Sequence, residues 1–392
     1  MRILMLAPYL PHPPSHGGRI RSRLLLSGLQ QVGDVTLAVP QMALADHDVA
    51  AIGVPALPVP AALAAAPSAR RKLATWARGR SEVLGRRWEP ASRDAVRQLL
   101  GSGVDLLVLD GSHVLPAVPT EVTQPRLFHL HNVESAVLRR PDQVARGPAE
   151  RVVRCIEGGL MARLEARHAA AARLCLTVSA LDRDRLLELC PSAIVDVVEN
   201  AIDLDARPRL PPSANVDAPL LLFVGSYEYP PNLEAARELL QQHLPVLRAR
   251  WPDLRVRCVG ADPAGAVRAL AETAGAEAPG RVDDLAAHYR EAAAVYAPLR
   301  SGGGTRIKAL EAFAFGRPLL ATAVAVEALP IEDGVHYLRV ETAADGVQAL
   351  ARVVAGEVTP LVDAARELVE CRFGMDAAVA RVAALVRQHF DA

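Results

Sequence analysis

The segment from Tyr296 to Thr322, YAPLRSGGGTRIKALEAFAFGRPLLAT, gathers the residues best suited to hold an anion. An apolar strand ends at Pro298, and Gly302, Gly303 and Gly304 then let the backbone approach a ligand closely, because they carry no side chain. Thr305 is placed as a helix N-cap, so the free N–H groups of the next turn and the positive end of the helix dipole point at the glycine loop. Ile307 stands between two cations, Arg306 and Lys308, and the set suits a diphosphate. Glu311, further along, is an acceptor for ribose hydroxyls. A Gly-rich turn followed by a solvated glutamate would explain the glycines alone. The two cations, the glutamate and the Gly316-Arg317-Pro318 turn before the next strand together favour an anion site.

Other candidates lie in the first half. Pro13-Pro14-Ser15-His16-Gly17-Gly18-Arg19-Ile20-Arg21 joins the first strand to a helix, and loops at strand carboxyl ends face the ligand in open α/β sheets. His131 follows the apolar run Leu127–Leu130 and is expected at such an edge; His129 is expected on the opposite side of that strand, in a structural role. Two D-x-D patterns occur, Asp182-Arg183-Asp184 and Asp203-Leu204-Asp205. The first starts a helix after Ser179 and the second lies where the halves join, so neither is read as a metal site. No G-x-S-x-G elbow and no G-x-G-x-x-G fingerprint follow a strand, which argues against a Ser/His/Asp hydrolase and a dinucleotide dehydrogenase.

Elements that would position these residues alternate regularly. Apolar runs at Ile3–Ala7, Val35–Val39, Leu106–Leu109, Leu127–Leu130 and Leu174–Val178 read as strands separated by helix-like segments. The pattern restarts after the Pro-rich stretch 207–212, with strands at Leu220–Val224, Val256–Val259, Val295–Ala297 and Leu319–Ala321. Two Rossmann-like domains are expected, 1–206 and 207–375, followed by a C-terminal helical segment, 376–392, packing back on the first. Such sheets bind ligands at the carboxyl ends of their strands, so two facing sheets enclose a cleft.

The 392 residues include 44 Lys+Arg and 44 Asp+Glu, so no long-range field favours nucleic acid as a partner. The five cysteines are widely spaced without C-x-x-C, as in a reduced cytoplasmic protein, and the N-terminus enters a strand with no signal-peptide h-region. The uncharged stretch Val49 to Ala69 is broken by Pro55, Pro58, Pro60 and Pro67 and reads as an Ala/Pro connector. Arg70 to Arg97, rich in arginine and containing Trp76 and Trp88, suits a solvated helical face, a membrane-surface patch or an acceptor platform.

The segment 302–318 resembles the donor-binding loop and helix of retaining GT-B glycosyltransferases of the bacterial group 1 type, whose members carry GGGTR-[IL]-K, then LEA and a G-[RK]-P turn. Phe223–Asn232, Val198–Asp203, Leu176–Ser179 and His129–Ser135 resemble further family segments in the same order, so the likeness spans nearly the whole chain. It implies a GT-B architecture, with a nucleotide-sugar donor on the second domain and an acceptor side on the first. By the same resemblance Glu311 holds ribose, the loop before it wraps diphosphate and sugar, Gly17 and Gly18 lie over the donor phosphate, and His131 touches the donor. Gly225 and Ser226 match the start of the second domain, and Val282, after Gly280-Arg281, matches a turn that meets the base. The chain departs from the family at two places. Gly303 stands where a second glutamate is usual, and Ser226 and Pro231 or Asn232 stand near the usual basic pair. Phosphate neutralisation is therefore assigned to Arg306 and Lys308.

The resemblance implies an enzyme that moves a hexose-like sugar from a nucleoside diphosphate to a small-molecule or glycan acceptor with retention. No metal or other cofactor is expected, since cations and a helix end take the role a divalent ion plays elsewhere. The rivals are a nucleotide-sugar-binding protein without catalysis, favoured by Gly303, and a peripheral membrane enzyme acting on a lipid-linked glycan.

Overall fold

The computed structural model describes residues 1–12, 17–44, 49–61, 69–85, 88, 90–139, 147–213, 218–302 and 307–390. The chain divides into two compact units, the first formed by Met1–Asn200 with Asp376–Ala392, the second by Ala201–Met375. The divide falls ahead of the Pro-rich stretch 207–212, which belongs to the second unit. Leu210 is buried in that unit's core, and its N–H donates to the Phe315 carbonyl at 3.1 Å, so this segment is packed structure rather than a linker.

The first unit contains β1 (Arg2–Leu6), β2 (Asp34–Pro40), β3 (Ala56–Val59), β4 (Leu106–Asp110), β5 (Arg126–His129), β6 (Leu174–Thr177) and β7 (Val195–Val197). They form one parallel sheet in the order β3-β2-β1-β4-β5-β6-β7. β4 is buried along its whole length, and its continuous run LLVLD suits a strand covered by helices on both faces. β3 lies inside the stretch expected to be an Ala/Pro connector. It pairs with β2 at Val39↔Pro58, and as an edge strand it tolerates a proline that lacks a donor. Helix Met375–Phe390 runs into the first unit, where Val382 lies so close to helix Gly17–Gln30 that a Cβ on Gly28 would meet it at 2.5 Å.

The second unit contains β8 (Leu220–Val224), β9 (Arg255–Val259), β10 (Glu277–Gly280), β11 (Ala294–Ala297), β12 (Leu319–Ala321) and β13 (Leu338–Arg339), in the parallel order β10-β9-β8-β11-β12-β13. Both sheets are Rossmann-like. Connectivity reverses between β1 and β4 in the first and between β8 and β11 in the second, and the crevice beyond the strand ends at such a switch point is where ligands bind. Among the described residues no helix is long and apolar enough to cross a membrane.

Candidate functional site

In the second unit the switch point is furnished mainly by backbone. Leaving β8, Gly225 donates its N–H to the Val259 carbonyl at 3.0 Å, and Gly260, leaving β9, donates to the Gly280 carbonyl at 2.9 Å. A Cβ on Gly260, whose φ is 146°, would sit 1.8 Å from the Gly225 carbonyl oxygen, so only glycine lets these strand ends lie side by side. Beyond β11 the chain runs through Ser301 to Gly302, where φ is 114°, another conformation open to glycine. Gly303, Gly304, Thr305 and Arg306 lie outside the described residues.

Ile307 and Lys308 open the buried helix Ile307–Ala314. Lys308 Nζ donates to Asn232 Oδ1 at 2.6 Å and lies 4.6 Å from the Phe223 ring centroid, a cation–π placement. Asn232 Nδ2 in turn donates to the Ser226 carbonyl at 2.8 Å, which ties the start of this helix to the loop after β8. Glu311 is 7% exposed and pairs with Arg207, whose Nη2 and Nε donate at 2.9 and 3.3 Å. Both bonds fall on Oε1, so Arg207 orients the carboxylate, and among the described residues no donor is bonded to Oε2. Val282 is half-buried and packs against the unit's core.

Arg300, at the base of the glycine loop, is committed to structure. Its guanidinium donates to both oxygens of Glu238, to Glu341 Oε2 at 2.9 Å and to the Glu341 carbonyl. Hydrogen bonding to Glu238 raises its pKa against the effect of burial. The chain of bonds continues from Glu238 to His243 Nε2 at 3.2 Å and from His243 Nδ1 to the Tyr296 hydroxyl at 2.6 Å. This network anchors the strand from which the loop departs.

At the β1/β4 switch point of the first unit the polar groups are side chains. Asp110 ends β4, fully buried, and its Oδ1 accepts from His129 Nδ1 and His131 Nε2, both at 2.7 Å, while Oδ2 accepts from Ser22 Oγ. Arg21 Nε donates to His129 Nε2 at 2.6 Å. Arginine only donates, so His129 is the Nδ1–H tautomer and stands neutral between a guanidinium and a carboxylate. Burial, reinforced by Arg21, pushes the His129 pKa down to about 3, and burial lowers that of Arg21 to about 9. Burial also opposes ionisation of Asp110, but the two imidazoles outweigh it and hold the carboxyl well below the usual range. With Nε2–H given to Asp110, His131 presents Nδ1 to the Tyr9 hydroxyl at 3.2 Å. Gly17 and Gly18 open the helix that carries Arg21 and Ser22; His16 lies outside the described residues.

His129 does not point away from His131, as had been expected. The two bond the same oxygen, because positions two apart along an extended chain share a face. Asp110, Arg21, Ser22 and Tyr9 were not singled out as functional from sequence. The legible signal was Asp110 itself, a carboxylate ending an otherwise apolar strand. Asp110, His129 and His131 also place one ligand atom each within 4.8 Å of one another, the spacing of a metal site. Those atoms already bond one another, and Arg21 occupies the second nitrogen of His129, so a divalent ion would displace both imidazole protons beside a guanidinium. The donor set fits a hydrogen-bonded relay better than a metal centre. Of the two D-x-D patterns, Asp182 is buried and accepts from Ser179 Oγ at 2.6 Å, at the start of helix Ala180–Leu189.

A helix turn next to this cluster is held by Glu165, fully buried. Its Oε1 accepts from Ser112 Oγ and the Glu134 N–H, both at 2.8 Å, and its Oε2 from Ser135 Oγ at 2.6 Å and the Ser135 N–H at 3.2 Å. Burial pushes this carboxyl up to about 7.

Residues 218–356 match the family Glycosyl transferases group 1. The match lies wholly within the second unit. Solved structures with a similar fold include sucrose-phosphate synthase from Thermosynechococcus elongatus, at 17% identity and TM-score 0.75, covering 100% of this chain and 99% of that one. The Anabaena protein HepE, solved with UDP and glucose, aligns at 13% identity and TM-score 0.66 over 98% of this chain and 99% of that one. A glycosyltransferase from Rickettsia africae aligns at 12% identity and TM-score 0.63 over 99% and 98%. The two-sheet α/β architecture is that of GT-B glycosyltransferases. No curated protein sequence matches the chain.

Proposed function

We propose that the chain transfers a sugar from a nucleoside diphosphate to an acceptor nucleophile, with retention of configuration and without a metal. The observation that carries this is the match of residues 218–356 to group 1 glycosyltransferases, with Gly302, Lys308 and Glu311 at the carboxyl edge of that unit's sheet. Glu311, oriented by Arg207, takes a ribose hydroxyl on Oε2. The diphosphate is held by the glycine loop, the first turn of the helix and Arg306 or Lys308, so charge developing on the departing phosphate meets preorganised donors. The first unit supplies the acceptor side, where the hydrogen-bonded pair Tyr9 and His131 at the β1/β4 switch point meets a sugar hydroxyl. Because the HepE structure contains UDP and glucose, uridine donors are the first to test. Incubation with nucleotide sugars in excess chelator should release nucleoside diphosphate. Release that requires manganese would remove the metal-independent part, and the absence of any turnover would leave a binding protein.

A further inference from the structure

Glu157, 2% exposed on helix Pro148–Ala171, ties two other segments of the first unit to that helix. Its Oε1 accepts from Trp76 Nε1 at 2.6 Å and from the Glu82 N–H at 3.0 Å, and its Oε2 from Ser81 Oγ at 2.6 Å. Exposed apolar side chains surround this anchor. Leu73 stands one turn before Trp76 in helix Ala69–Ala77, and Val83 follows Glu82. Val152 and Ile156 lie one turn apart on the long helix, beside the face that carries Glu157. Leu73 is 63% and Val152 58% exposed, and these four are among nine large hydrophobic side chains exposed in the described residues. Scattered exposure of that kind is ordinary, but clustering around one anchor marks an interaction surface.

The charge around them has one sign. No acidic residue occurs from Val49 to Ser81, and Arg70, Arg78 and Arg80 are exposed. Among the described residues beside them, Glu82 and Glu157 are buried, and Glu150 is paired with Arg154 at 3.1 Å.

We propose that this face of the first unit docks on an anionic bilayer surface, with Leu73, Val83, Val152 and Ile156 entering the boundary between headgroups and acyl chains and the arginines meeting lipid phosphates. A bilayer offers both chemistries in one plane. A second copy does not, because a two-fold contact would set the same arginines against each other. The inference concerns where the enzyme works and stands independently of its donor.

The test is flotation of the full chain with vesicles of phosphatidylcholine containing phosphatidylglycerol, against phosphatidylcholine alone, at low and high salt. Binding to the anionic vesicles only, weakened by salt, is expected. The triple substitution Arg70→Gln, Arg78→Gln, Arg80→Gln should cut that binding about a hundredfold, at about fivefold per cation. Leu73→Asp with Val152→Asp should abolish it as well, and all these sites are exposed, so melting should be unchanged. Absence of flotation on anionic vesicles, or full binding by both variants, overturns the proposal. So does a dimer, seen by light scattering, that Leu73→Asp with Val152→Asp dissociates, since that assigns the surface to a second copy.

Discussion

At the β1/β4 junction of the first unit, the polar groups are long side chains that balance one another. Arg21, His129, Asp110, His131 and Ser22 form a buried relay in which one cation meets one anion through a neutral imidazole. At the β8/β11 junction of the second, Gly225 follows β8, and beyond β11 come Gly302, the start of helix Ile307–Ala314 and a lysine bonded to a neutral amide. The topology is the same and the use is different. A junction that is already charge-balanced can orient a hydroxyl but gains little from an incoming dianion. A junction built from glycine and a helix end gains more, because backbone donors and the helix dipole favour an anion.

The largest effect that separates the two should come from Asp110→Ala. Removing the carboxylate leaves two imidazoles and a hydroxyl without their common partner and takes a countercharge from the buried Arg21, and should destabilise the first unit by about 3–5 kcal/mol in urea unfolding. A loss under about 1 kcal/mol would show that the relay is not structural. In the second unit, Arg306→Ala or Lys308→Ala should lower transfer at saturating donor about a hundredfold while leaving the fold intact. One of the two substitutions should dominate. Full rate in both would assign the diphosphate to backbone N–H groups alone.

A third test uses pH. The Glu165 carboxyl is raised to about 7 in the folded chain from an ordinary 4.5, so its stabilisation is full below pH 4.5 and is lost as pH rises through 7. Relative to Glu165→Gln, the natural chain should gain about 1.4 kcal/mol per pH unit as pH falls from 7 to 4.5, because the variant lacks this proton. His129 acts in the opposite sense in both proteins: lowered to about 3, it withdraws stability as pH falls below the unfolded value of 6.5. A difference between the two proteins that is flat with pH would show Glu165 ionised throughout. The smallest effect is expected from Glu311→Ala, which should raise the Kd for free nucleoside diphosphate about tenfold, the size of one lost hydrogen bond to a charged group. An unchanged Kd would move ribose recognition elsewhere.

The central strands were legible because helices cover both faces and force continuous apolar runs, as in Leu106–Asp110 and Leu220–Val224. The four strands missed, β3, β7, β10 and β13, all stand at sheet edges. There one side needs no partner, and Pro58, Asp196, Glu277 and Arg339 interrupt the apolar pattern. In the candidate site, Gly302, Lys308 and Glu311 were readable because they fall within one contiguous segment. The relay was not, since Asp110, His129 and Arg21 come together only when β1, β4 and β5 align. The pairing of Glu311 with Arg207 spans 104 positions and carries no local signal.

On the proposed function, the second unit binds a nucleoside-diphosphate sugar by its own residues. Calorimetric titration of the full chain with UDP, GDP, ADP and dTDP and their glucose conjugates, in excess chelator, tests it most directly. Saturable one-site binding of at least one nucleotide pair is expected, weakened by Glu311→Ala and unchanged by Arg78→Gln. Binding that disappears in chelator, or that is equal in the Glu311→Ala variant for every nucleotide that binds, would contradict it.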